Sequence, residues 1–78
     1  MSKLRLVPYR DLRRVAEAAG FQWVRRRGSH NTFRNQAGRI VVVPDHGATV
    51  ITRPLLRTII AELGLSPDKY NRMLDDLQ

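Results

Sequence analysis

The sequence contains no cysteine, and this absence excludes two kinds of architecture. Without thiols the chain can form no disulfide framework and offers no thiolate ligand to a structural metal ion. It also lacks any apolar run long enough to cross a membrane, and residues 1–6 have no continuous apolar stretch of the kind found in signal peptides. We therefore expect a cytoplasmic protein that does not associate with membranes.

Acidic residues are scarce in the first three-quarters of the chain. Residues 1–57 contain twelve Lys or Arg and three Asp or Glu, a net charge of +9, whereas residues 58–78 carry a net charge of −2. Twelve of the fourteen basic residues are arginine, whose planar guanidinium group suits bidentate contact with phosphate. This distribution favours a polyanionic partner, although charge alone does not say which. With two histidines and so few carboxylates, we expect neither a metal site nor another cofactor.

Length and composition indicate one globular domain over residues 1–78, with 42% hydrophobic and 27% charged residues. Apolar residues at helical spacing predict a first helix over about 8–19, closed by Gly20. A second helix is predicted from the N-cap Thr52 to Gly64, and a third opens at 66–68 and runs through 74.

Between the first two helices, three segments are rich in aromatic and β-branched residues, as strands are. These segments are 22–26, 31–34 and 39–43, and the short connections between them favour an antiparallel meander. We therefore predict an α+β fold of order α-β-β-β-α-α, with the helices on one face of a three-stranded antiparallel sheet. This is the arrangement of double-stranded RNA-binding domains.

Alternation along the first strand assigns its side chains to two faces. Trp23 and Arg25 are expected on one face, and Val24 and Arg26 on the other. In so small a protein the aromatic side chains are needed in the core, so we expect Trp23 and Phe33 to pack against the helices rather than to stack on RNA bases.

Several short motifs follow one another in a recognisable order. They are Gly20-Phe21, Gly28-Ser29-His30 with an aromatic residue three positions later, Val43-Pro44-Asp45-His46, Leu55-Leu56-Arg57-Thr58-Ile59-Ile60 and Leu63-Gly64-Leu65-Ser66. In these motifs, which span about residues 7–74, the chain resembles the HicA family, also called YcfA-like, of bacterial toxin–antitoxin modules.

The resemblance implies a toxin that cleaves mRNA and is held inactive by a cognate HicB antitoxin. The functional histidine of that family falls on His30.

Elementary chemistry agrees with this expectation. RNA carries its own nucleophile, the 2′-hydroxyl group, so one imidazole that titrates near neutral pH can take up its proton or protonate the leaving oxygen without a metal. Cationic groups must then stabilise the charge that develops on the phosphate. The candidates are the arginines of the same hairpin and of the neighbouring strands: Arg25, Arg26, Arg27, Arg34 and Arg39.

The residues around His30 have structural explanations as well. Ser29 is a candidate to orient the imidazole or the phosphate, but Gly-Ser is an ordinary turn dipeptide, and we favour the structural role for both Gly28 and Ser29. His46 follows a proline at the end of a strand, so we expect it to hold its loop by hydrogen bonding.

The main alternative function is a non-catalytic RNA-binding module that uses the same basic surface for shape recognition. A DNA-binding regulator is disfavoured. The second helix, which would have to enter the major groove, has only Arg53 and Arg57 as basic residues and is otherwise mostly apolar. The two RNA-directed functions differ in what His30 does, because a binding module does not need its imidazole.

Overall fold

The computed structural model describes residues 3–77, so Met1, Ser2 and Gln78 of the predicted domain lie outside it. Its elements are α1 (Tyr9–Ala18), β1 (Gln22–Arg27), β2 (His30–Arg34), β3 (Ile40–Pro44), α2 (Arg53–Glu62) and α3 (Pro67–Leu77). The order α-β-β-β-α-α, with a three-stranded antiparallel sheet, confirms the predicted α+β architecture.

The helices begin and end close to their sequence signals. Pro8 is the N-cap of α1 rather than its first residue, and Gly20 follows the helix with a φ of 93°, which glycine adopts without strain. Thr52 is the N-cap of α2, although its side chain forms no capping hydrogen bond. Ser66 precedes α3, and its hydroxyl oxygen accepts a hydrogen bond from the backbone of Lys69 at 3.1 Å. No helix within residues 3–77 combines the length and apolar character that a membrane crossing requires.

The strands lie in the order β1-β2-β3, and both neighbouring pairs are antiparallel. The predicted second strand begins at residue 31, whereas β2 begins one residue earlier at His30, which pairs with Pro44 at the end of β3. Because β3 is an edge strand, a proline at its end removes no hydrogen bond that the sheet needs. The predicted third strand is thus shifted by one residue, from 39–43 to 40–44.

A β-bulge in β1 overturns the predicted alternation of that strand. Trp23 pairs with Phe33, but the next paired residue is Arg25, opposite Thr32, so Val24 is an extra residue without a partner. Directly paired side chains share a face of the sheet. Trp23 and Arg25 therefore lie on opposite faces, not on one face as simple alternation predicted.

The helices cover the face of the sheet that carries Phe33, Val41 and Val43, all of which are buried. These side chains belong to one core cluster with residues from each helix, including Leu12 and Leu56. The prediction that Phe33 packs in the core is confirmed.

Trp23 lies on the same face as Phe33 but is 46% exposed and does not belong to the core cluster, so the prediction that it packs in the core against the helices is wrong. The physical reason is its place on the edge strand β1, every residue of which is exposed. Its indole N–H donates a hydrogen bond to Oδ1 of Asn31 at 2.9 Å. This bond gives a hydrogen-bond donor to the side-chain carbonyl oxygen of Asn31, a residue that is buried.

Candidate functional site

His30 stands at one end of the sheet, directly after the tight turn that joins β1 to β2. The turn consists of Gly28 and Ser29, and its flanking residues Arg27 and His30 are paired. Gly28 has a φ of 59°, a conformation that favours glycine and is typical of two-residue hairpins. The predicted structural role of Gly28 is therefore confirmed. The imidazole of His30 is exposed and forms no hydrogen bond within residues 3–77.

The sheet face opposite the helices, called the open face below, carries the histidine together with two arginines. Arg27 pairs with His30, and Arg25 pairs with Thr32, which lies two residues further along β2 on the same face as His30. The bulge at Val24 produces this arrangement, since an unbroken strand would put Arg25 and Arg27 on the helix face with Trp23. A basic cluster formed by His30, Arg25 and Arg27 results, and all three residues are exposed.

Arg34 also belongs to the open face, but at the other end of β2. It lies four positions beyond His30, which is about 13 Å at the usual rise of a strand. Between them and along β3, the open face carries Thr32, Val42 and Ile40, the last two 41% and 56% exposed. The surface therefore has a basic side along β1 and an apolar side along β3.

Arg26 points to the helix face and is held by internal contacts. Its Nε donates to the carbonyl oxygen of Gly28 at 2.7 Å, and its Nη1 lies 3.0 Å from Oδ2 of Asp45. These contacts join the tight turn to the loop that follows β3.

Arg39 lies at the end of the sheet that is remote from His30. Its backbone N–H donates to Oδ1 of Asn35, and its side chain donates to the carbonyl oxygen of Glu62 at 3.3 Å. The structure thus brings Arg25 and Arg27 next to His30 and does not bring Arg26 or Arg39 there.

The loop after β3 is held by Asp45 rather than by His46. The backbone N–H of Asp45 donates to the carbonyl oxygen of Ser29 at 2.7 Å, and its Oδ1 accepts from the backbone N–H of Gly47 at 2.9 Å. His46 is exposed, and its imidazole forms no hydrogen bond within the described part of the chain. The expectation that His46 holds the loop through its imidazole is therefore wrong; only its backbone carbonyl takes part, accepting a hydrogen bond from the N–H of Thr49 at 3.3 Å. The Asp-x-Gly sequence, typical of a turn closed by an aspartate, was the signal for Asp45.

A buried tyrosine lies near this link. Burial raises the pKa of Tyr9 above its ordinary value, and Arg13 and Arg26 offset part of the rise while Asp45 adds to it. The hydroxyl group of Tyr9 therefore stays protonated near neutral pH and cannot act as a base.

Within residues 3–77, no three His, Asp or Glu side chains cluster closely enough to hold a metal ion. A groove of about 1150 Å³ opens at the start of β1 and the β2–β3 turn, where Trp23, Arg34 and Asn35 are among its lining residues. Neither histidine lines it. Both histidines are instead exposed, His30 at the end of the sheet and His46 in the loop that follows β3.

A sequence profile described as the HicA toxin of bacterial toxin–antitoxin systems matches residues 9–65, which is more than half of the chain. The matched region runs from the start of α1 to just beyond α2 and so includes the whole sheet, the tight turn and both histidines. A comparison with curated proteins finds no match.

Proposed function

Because the chain belongs to the HicA toxin family of bacterial toxin–antitoxin systems, we propose that it is an mRNA interferase, an endoribonuclease that cleaves mRNA without a metal ion. The observation that carries this proposal is the placement of His30 on the open face beside Arg25 and Arg27. An exposed imidazole flanked by two guanidinium groups supplies a proton-transfer group and charge stabilisation at one point.

In the proposed reaction, His30 takes up the proton of a ribose 2′-hydroxyl group as that oxygen attacks the adjacent phosphorus. Arg25 and Arg27 contact the non-bridging oxygens of the phosphate, where negative charge accumulates in the transition state. The bond from phosphorus to the 5′ oxygen breaks, which leaves a 2′,3′-cyclic phosphate on one product, and the leaving oxygen takes up a proton and becomes the 5′-hydroxyl group of the other. Arg34 binds a neighbouring phosphate further along the open face. Ser29 contributes its backbone carbonyl to the support of the turn rather than a catalytic hydroxyl group.

A toxin of this family has a cognate antitoxin, and we propose a HicB-like protein as that partner. Its acidic surface covers the basic side of the open face, and charge complementarity gives rapid capture of newly made toxin. Co-purification of the two proteins, followed by mapping of the interface, tests this occlusion. An interface that leaves His30, Arg25 and Arg27 accessible to RNA would contradict it.

The activity itself is tested by incubating the purified protein with an mRNA fragment and analysing the ends of the products. We expect 2′,3′-cyclic phosphate or 3′-phosphate ends with 5′-hydroxyl ends, unchanged cleavage in EDTA, and no cleavage when the nucleotide at the cut site is 2′-deoxy. Binding of the fragment without cleavage would favour the non-catalytic RNA-binding module. Loss of cleavage in EDTA would contradict the metal-free mechanism.

A further inference from the structure

Cleavage by the 2′-hydroxyl group requires two proton transfers, one from the attacking oxygen and one to the leaving oxygen. His30 can perform one of them. The chain contains two histidines and no cysteine, so His46 is the other imidazole that could transfer a proton.

The fold places His46 at the same end of the sheet as His30. The hydrogen bond from the backbone of Asp45 to Ser29 joins the residue that precedes His46 to the residue that precedes His30. His46 also lies two residues beyond Pro44, which pairs with His30 in the sheet. Two residues of fully extended chain span about 7 Å, so the backbone of His46 lies within about that distance of Pro44. This separation leaves the two imidazoles room to approach one phosphodiester from different sides.

The surroundings of His46 leave its imidazole available. Asp45 provides the contacts that fix the loop, with one carboxylate oxygen on Arg26 and the other on the backbone of Gly47. That carboxylate is therefore engaged, whereas the imidazole of His46 is exposed and has no hydrogen-bond partner among residues 3–77. Nothing in the fold requires a histidine at this position.

We propose that His46 is a second catalytic residue, the general acid that protonates the leaving 5′ oxygen. This inference rests on the proposed RNA-cleaving function and adds to it the group that completes the proton balance. The 2′ oxygen gives its proton to His30 and forms a bond to phosphorus. The bond from phosphorus to the 5′ oxygen breaks, its electron pair stays on that oxygen, and the imidazolium group of His46 supplies the proton.

The test uses two RNA substrates that differ at the cut site only. In one of them sulfur replaces the bridging 5′ oxygen, and because a thiolate leaves readily without a proton, this substrate does not need a general acid. We expect His46→Ala to be slowed on ordinary RNA on the order of 10²-fold or more, and to approach the wild-type rate on the sulfur substrate. His30→Ala should be slow on both substrates.

Circular-dichroism melting of wild type, His46→Ala and His46→Gln shows whether the variants fold alike, and His46→Gln should repeat the rescue by sulfur. Equal slowing of His46→Ala on both substrates would mean that His46 has only a structural role and would overturn the proposal. A wild-type rate of His46→Ala on ordinary RNA would overturn it too. A wild-type protein that cleaves neither substrate would instead contradict the proposed function itself.

Discussion

Individual arginines of this chain differ in what they can contact, although all are charged and most are exposed. Arg25 and Arg27 extend from the open face beside His30, and their guanidinium groups form no hydrogen bond within residues 3–77. Arg26 and Arg39, in contrast, donate hydrogen bonds to backbone carbonyl groups. We therefore assign phosphate contact to the first pair and support of the fold to the second.

Arg27→Ala should reduce RNA cleavage strongly. Its guanidinium group is proposed to stabilise the charge of the transition state, and removal of one such donor typically costs on the order of 10²-fold in rate. Arg27→Lys should restore part of the rate, because it returns the charge without the bidentate geometry. Single-turnover cleavage of one RNA measures the effect, and Arg39→Ala is the matched control. A larger loss in Arg39→Ala than in Arg27→Ala would reverse our assignment.

Among the elements, the link between the tight turn and the loop after β3 determines where both histidines stand. Asp45→Ala removes the ion pair with Arg26 and the hydrogen bond from Gly47. The pair is partly exposed, so we expect it to contribute about 0–1 kcal/mol to the free energy of unfolding. The cleavage rate should fall by more than this change in stability alone would cause, because the two proposed catalytic groups lose part of their support. The backbone hydrogen bond from residue 45 to Ser29 remains in this variant. A double-mutant cycle with Arg26→Ala checks this prediction when the free energy of unfolding and the cleavage rate are both measured. Effects of the two substitutions on the cleavage rate that are simply additive would contradict it.

Tyr70 links α3 to the segment before α1, and this link should weaken at high pH. Its hydroxyl group donates to the carbonyl oxygen of Arg5 at 2.7 Å, and burial raises the pKa of Tyr70 to about 12. A raised pKa in the folded state means that the stabilisation is complete below the unfolded value near 10 and is lost as the pH rises through about 12.

Tyr70→Phe should be less stable than wild type by about 1 kcal/mol at pH 8, the usual contribution of such a hydrogen bond. The difference should shrink as the pH rises above 10, because only the wild type loses this stabilisation. Urea unfolding followed by far-UV circular dichroism measures both free energies. A difference that stays constant up to pH 11.5 would show that Tyr70 does not titrate as described.

Local sequence patterns were sufficient for the elements and their order. The helical spacing, Gly20 and Ser66 predicted where helices begin and end, and all three strands were found within one residue. The faces of β1 were not predictable in the same way. A bulge depends on pairing with β2, and neither Trp23 nor Arg25 carries a local signal for the unpaired residue between them.

The same dependence on pairing between distant residues explains why the arrangement of the candidate site could be predicted only in part. The motif made His30 the candidate histidine and charge made the arginines candidates, but which arginines stand beside the histidine depends on register and on contacts with distant residues. Arg26 meets Asp45 nineteen positions away, and Arg39 meets Glu62 twenty-three positions away. No spacing rule connects such residues before the chain has folded.

For the whole molecule, the net charge of +7 predicts that the proposed binding of RNA weakens as the salt concentration rises. If three to six phosphates are contacted, the logarithm of affinity should fall with the logarithm of salt concentration at a slope of about −2 to −4. The double variant Arg25→Ala/Arg27→Ala should flatten that slope by about 1.4, whereas Arg26→Ala should leave it nearly unchanged. Fluorescence anisotropy with a non-cleavable 2′-deoxy analogue measures the slope. An affinity independent of salt would contradict the proposed role of the open face.

The most direct measurement of the central claim is the single-turnover rate of RNA cleavage by His30→Ala beside that of the wild-type protein. Both proteins should fold alike by circular dichroism, since the imidazole is exposed and makes no hydrogen bond within residues 3–77. We predict that the variant still binds RNA and that its cleavage rate falls on the order of 10²–10⁴-fold, the contribution of a positioned acid or base. Cleavage by His30→Ala at the wild-type rate would contradict the claim.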